Sequence, residues 1–265
     1  MSVQAIKVSP QLAHIIGNAG DKSGVDFDYL LQTASRESSL NPSARATTSS
    51  AVGLFQFLEQ TWLDVIKSDG ERLGYGEFAR AIETSPNGSL TIGDKDLRNK
   101  VLKLREEPQI ASDMAAAFTL NNGHYLQERF GRMPSAGELY IAHFMGARGA
   151  ARLFEAGLTN PDQIASKLFP QQAKANPSIF FDNGKSRTIR QLYQVLVAKH
   201  TITTPASAEF AAQQLASGES QQAPQKLLPM SFRALYSGAA HMERVSPVQQ
   251  PEASTGRLFG QIYHK

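Results

Sequence analysis

The chain contains no cysteine. Disulfides, thiolate nucleophiles and cysteine-ligated zinc are therefore excluded together. A metal would have to rest on histidine and carboxylate, yet the six histidines (His14, His124, His143, His200, His241, His264) are scattered without the H-E-x-x-H spacing that sets two on one helical face. No metal and no cofactor are expected. Aromatic residues are sparse at 8%, with Trp62 the only tryptophan, and alternating β-branched runs are nearly absent, which argues against a protein built on sheets. No run approaches the ~20 apolar residues that cross a bilayer. The first twenty residues carry one lysine and an apolar patch at 12–16 broken by His14, so no signal peptide is expected. Charge bias is weak as well: 27 basic against 24 acidic residues give a net +3 with no basic run, and nucleic acid is not an expected partner. Gly74-Tyr75-Gly76 lacks the third glycine of a dinucleotide loop, and neither a P-loop nor a G-x-S-x-G elbow occurs.

What is present is a globular composition, 41% hydrophobic, with helical periodicity from about Ser23 to His200. The expected class is mainly α. The first clear helix spans about Asp26 to Leu40, with Asp26 as N-cap and Asn41-Pro42 as its stop. Further helices are expected at 56–67, 96–105, 108–122, 124–130, 135–145, 147–155, 161–168 and 187–199. Between Asp69 and Asp94 the pattern weakens around the Pro86-Asn87-Gly88 turn, which predicts a surface loop or lid. The organisation is read as an N-terminal segment 1–22, a helical domain 23–200, a linker 201–229 rich in Ala, Gln, Ser and Pro, and a tail 230–265 too short to close its own core.

On the first helix Phe27, Leu30, Leu31, Ala34 and Ser38 form one stripe, with Glu37 at its edge. A carboxyl group between core and solvent is a candidate general acid, because partial burial disfavours the ionised form. After it come Ser38-Ser39-Leu40-Asn41-Pro42 and Ala44, a hydroxyl-rich loop Thr47 to Ser50, then Ala51-Val52-Gly53-Leu54-Phe55-Gln56-Phe57 and Thr61-Trp62. This order of an acid, a proline stop, hydroxyl residues and Gly-Leu-x-Gln resembles the signature of the soluble lytic transglycosylases. The resemblance implies a lysozyme-like, goose-type helical domain. It also implies that Glu37 is the catalytic acid/base on peptidoglycan glycan strands. Gly53 is expected to let backbone approach the glycan, and Gln56 to offer a donor and an acceptor to a sugar. Phe55 stands where the family often has Met. Either Thr47 or Ser49 is expected to face Glu37 or the N-acetyl group, because the loop is one residue longer than the family pattern. Trp62 is at helical spacing from Leu58 and reads as core.

The resemblance extends through Asn122-Gly123 and Phe130-Gly131 to Tyr140-Ile141-Ala142-His143-Phe144-Met145-Gly146. Here His143-Phe144 takes the place of the family's Tyr-Asn, so His143, or Tyr140 one turn earlier, is the expected substitute for its phenol. The stretch after Glu37 offers no evident second catalytic carboxylate. That suits the family's route, in which one Glu protonates the MurNAc-GlcNAc oxygen and then takes the proton of the attacking C6 hydroxyl. The alternatives are a hydrolytic muramidase on the same scaffold, or a peptidoglycan-binding assembly protein of a secretion, flagellar or phage machine, with the tail as the protein-docking element. The substrate implies action in the periplasm or cell envelope.

Overall fold

The computed structural model describes residues 8–47 and 49–200. The expected linker and tail lie outside the described residues. Within them the structure is mainly helical, with twelve α-helices and two short hairpins. It divides into two compact units at Asn122/Gly123.

The first unit opens with α1 (Pro10–Ser23), a helix in the stretch that sequence reading left outside the domain. Ser9 caps it by accepting from the Leu12 amide, and Pro10 occupies the first turn, where a missing N–H costs nothing. It packs on α2 (Phe27–Ser38). The expected cap is present there: Asp26 accepts from the Tyr29 amide at 2.9 Å. The core stripe of α2 is Tyr29, Leu30, Leu31, Thr33 and Ala34. The helix ends before the predicted Leu40, because Ser39 and Leu40 both turn into the left-handed region (φ 53° and 65°).

α3 (Glu59–Asp69) begins three residues later than expected. The weakly patterned stretch 69–94 folds into α4 (Gly76–Arg80) and a hairpin of β1 (Glu83–Thr84) with β2 (Leu90–Thr91), turned at Ser85–Ser89. α5 (Lys95–Lys103) leads through the 3-10 turn Leu104–Glu106 into α6 (Pro108–Phe130). Two helices were expected here, parted at Gly123. The helix is continuous, and at Gly123 the chain packs closely: an added Cβ would stand 3.2 Å from Met133 Cε and 3.5 Å from Leu139 Cδ2. Trp62 is fully buried and donates from its indole N–H to the Val101 carbonyl at 2.8 Å, which makes it core as expected.

The second unit is built on α7 (Ala136–Met145), α8 (Ala147–Thr159) and α12 (Ile189–His200), which pack on one another. Between α8 and α12 run the short α9 (Ala165–Leu168), α10 (Pro170–Ala175) and α11 (Pro177–Phe180). A hairpin of β3 (Phe181–Asp182) and β4 (Lys185–Ser186) follows α11, turned by Asn183-Gly184. Leu153, Phe154, Phe180, Ile189, Leu192 and Leu196 are among its buried core residues. Among the described residues no helix is long and apolar enough to cross a membrane.

Candidate functional site

The site is assembled at the end of α2. Glu37 sits in its last turn, half-buried, with Oε2 shut off from solvent. The two left-handed residues that follow, Ser39 and Leu40, are a conformation that costs a non-glycine residue about 1–3 kcal/mol each and persists where the surroundings enforce it. Here the enforcement is visible. Leu40 donates from its amide to the Ala34 carbonyl at 3.3 Å, and Asn41 accepts from the Ser43 amide at 3.0 Å to make the next turn.

The chain then forms a tight structure over residues 44–57. Val52 pairs with both Arg45 and Phe57. Val52 and Phe57 exchange both backbone hydrogen bonds, at 3.2 and 3.1 Å, so that Gly53-Leu54-Phe55-Gln56 is the turn of a small hairpin. Gly53 donates to the Ala44 carbonyl at 2.8 Å. Ser38, the neighbour of Glu37, donates its hydroxyl to the Leu54 carbonyl at 2.8 Å. The acid-bearing helix end and the Gly-Leu-Phe-Gln turn are thereby tied directly.

Several expected roles change on this geometry. Gly53 has φ +86°, and a Cβ on it would stand 1.9 Å from the Arg105 carbonyl oxygen. The close approach it permits is to the protein's own backbone. Gln56 is buried with φ +49°, and its side-chain amide donates to the carbonyls of Ala44 (3.1 Å) and Gly53 (2.9 Å). Both of its N–H donors are thus spent on bracing the turn. Phe55 is 2% exposed, its ring held inside rather than offered to a ligand. In the hydroxyl-rich loop, Ser49 accepts from the Ala51 amide at 3.3 Å, and Ser50 accepts from the Glu59 amide at 3.4 Å, supplying the cap that Leu58 cannot give α3. Thr47 is exposed.

Tyr140 and His143 belong to the second unit. Both are buried on α7, their rings stacked with centroids 6.5 Å apart, and Tyr140 also stacks on His200 at 6.1 Å.

Sequence reading missed Arg105. Its guanidinium, on a residue 7% exposed, donates through Nη1 to the carbonyls of Ser50 (2.7 Å) and Phe57 (3.0 Å), and through Nε to that of Leu102 (2.9 Å). Burial draws its pKa below the ordinary value, with the Glu59 and Glu106 carboxylates acting against that. The sequence Leu104-Arg105-Glu106-Glu107-Pro108 carries no sign of this, since a charged cluster before a proline reads as solvated surface.

Four other acids of the first unit are held in ion pairs or hydrogen bonds. Glu59 pairs with Arg98 and Glu106 with Arg45. Asp69 is held by Arg72 (2.7 Å), Asn121 (2.7 Å) and Ser68 (2.9 Å). Asp113 is held by Tyr75 (2.8 Å) and Gln109 (3.1 Å), with Lys22 at 3.5 Å. Among the described residues no group of three or more His, Asp and Glu is arranged to hold a metal ion.

A half-buried acid is thus joined through its neighbouring serine to a braced Gly-Leu-Phe-Gln turn. Residues 14–132 match the family model of the Transglycosylase SLT domain. That span contains α2, the 44–57 hairpin and Arg105, and over it the chain is similar to the lysozyme-like soluble lytic transglycosylases, a family that acts on peptidoglycan.

Proposed function

We propose that the protein cleaves the β-1,4 bond between MurNAc and GlcNAc without water, leaving a 1,6-anhydroMurNAc end. Glu37 gives its proton to the glycosidic oxygen as the C1–O bond breaks. The same carboxylate then takes the proton of the C6 hydroxyl as that oxygen bonds to C1. The proton lent is recovered and no second acid is consumed.

The observation that carries this reading is the setting of Glu37: one oxygen is withdrawn from solvent, and the residue beside it is hydrogen-bonded to the Gly-Leu-Phe-Gln turn. A two-carboxylate glycosidase needs a second acid available to act as base or nucleophile. The engagement of Glu59, Asp69, Glu106 and Asp113 in ion pairs and hydrogen bonds supports a one-acid route. The substrate's own N-acetyl group can then stabilise C1 in place of a protein nucleophile. Thr47 is the loop hydroxyl assigned to that group, because those of Ser49 and Ser50 are turned onto backbone amides. Gln56 and Phe55 are assigned to shaping the turn. The place of action is the cell envelope, where peptidoglycan lies.

The test is chromatography with mass spectrometry of sacculi digested by the wild type and by Glu37→Gln. The wild type is expected to release anhydro-muropeptides. The variant should fold normally and lose about 10²-fold to 10⁴-fold of the rate, the usual loss with a general acid. Reducing ends would make the enzyme a hydrolase, and a fully active Glu37→Gln would remove the acid from this assignment.

A further inference from the structure

We infer that Arg105 is a positioning residue for the reaction, holding the Gly-Leu-Phe-Gln hairpin in register so that the hairpin in turn sets the end of α2 that carries Glu37. The inference rests on the proposed reading of Glu37. Its physical basis is the double grip of one residue on one loop. The Arg105 side chain joins the Ser50 and Phe57 carbonyls, one on each side of the turn. Its backbone carbonyl closes against Gly53, where an added Cβ would collide with it. The loop is therefore held at Ser50, Gly53 and Phe57. From the turn the path is short: the Leu54 carbonyl accepts from Ser38, and Ser38 adjoins Glu37.

The geometry also explains why this residue is an arginine. A planar guanidinium presents several N–H groups in a fixed fork and reaches the Leu102, Ser50 and Phe57 carbonyls at once. An ammonium is a point donor on a flexible stem and cannot hold that spacing. Flanking ion pairs of Arg45 with Glu106 and of Arg98 with Glu59 keep the 3-10 turn and the start of α3 in place around it. Arg105 touches no reacting atom in this scheme. Its effect runs through the hairpin, where a displacement on the order of 1 Å is enough to lower turnover strongly.

The experiment uses the full chain with Arg105→Lys and Ser38→Ala, singly and together. Hydrogen exchange of peptides covering 44–57 is measured alongside turnover and binding on sacculi. Arg105→Lys is expected to speed exchange in the hairpin, lower kcat by about tenfold to a hundredfold, and change sacculus binding by less than about threefold, since no substrate contact is removed. Ser38→Ala cuts the same path at its other end and should lower kcat with little change in KM. The double variant should lose less than the product of the two single losses, because both act on one connection.

Wild-type turnover in either folded variant overturns the inference, as does unchanged exchange at 44–57 in Arg105→Lys. Fully multiplicative losses overturn it too. Should Arg105→Lys not fold, the kcat-against-KM split of Ser38→Ala decides the same path. Should the wild type itself release no anhydro-muropeptide, the reading of Glu37 fails, while the exchange measurement still decides whether Arg105 holds the hairpin.

Discussion

At the scale of single residues, the motif was readable as a string but the tasks of its letters were not. Glu37, Gly53 and Gln56 fall in one short stretch of sequence, so their order pointed to the family. The neighbours that give each its task come from elsewhere in the chain. Arg105 lies 48 residues from Phe57, and no periodicity or spacing announces that its guanidinium will reach back to it. Gln56 looked like a sugar ligand because its amide was assumed to be available, whereas the left-handed backbone at that position folds it onto Ala44 and Gly53. Gly53 gives the sharpest test. A Cβ there meets a carbonyl at 1.9 Å and would also require a left-handed backbone. Gly53→Ala is expected to destabilise the protein by about 3 kcal/mol, combining left-handed strain with overpacking. It should also abolish turnover by opening the hairpin. Unfolding in urea checks the first effect, and a midpoint within error of the wild type would show that the backbone of Arg105 yields freely.

At the scale of elements, helical periodicity located α2, α8 and α12 to within a few residues, because each buries an apolar stripe, while α7, buried on nearly every side, was located by its capping residue Ser135 and the glycine after it. Errors arose where a local signal and a tertiary contact disagreed. Gly123 reads as a helix break, but α6 runs through it, with Met133 and Leu139 packed where its side chain would be. α1 was not expected, although its cap at Ser9 was present in the sequence and His14 falls on its exposed side. The second unit also holds a contact that spacing could not supply. Glu138, fully buried on α7, takes both terminal nitrogens of Arg132 at 2.9 and 2.7 Å and the Tyr193 hydroxyl of α12 at 3.2 Å. It also accepts from the Ser135 amide at 2.7 Å, completing the capping box that starts α7. Breaking one side of a buried pair leaves the other charge poorly compensated, which costs about 3–5 kcal/mol. Glu138→Ala should therefore lower the stability of the second unit by about that amount, read as a shift of the urea midpoint. A loss near zero would show that Arg132 finds water as readily as it found the carboxylate.

For the molecule as a whole, the same economy of committed acids predicts how the fold responds to pH. Asp69 is buried at the end of α3, and burial alone would raise its pKa. Hydrogen bonds from Arg72, Asn121 and Ser68 outweigh burial and hold the carboxyl below its ordinary value. Because Asn121 is on α6, ionised Asp69 joins two helices of the first unit. A carboxyl whose folded pKa is depressed stabilises fully above the unfolded value, near 3.9, and loses that contribution as pH falls through the folded value. Asp64 opposes this: partial burial and the nearby Asp69 push its pKa up, so protonating it on acidification returns part of what Asp69 loses. The net expectation is a protein whose stability is flat above about pH 5 and declines below about pH 4. In Asp69→Asn the decline should be shallower, starting from a lower plateau at neutral pH. Urea unfolding of both proteins between pH 3 and about pH 7 measures the two curves, and parallel curves would show that the carboxylate of Asp69 contributes no pH-dependent stability.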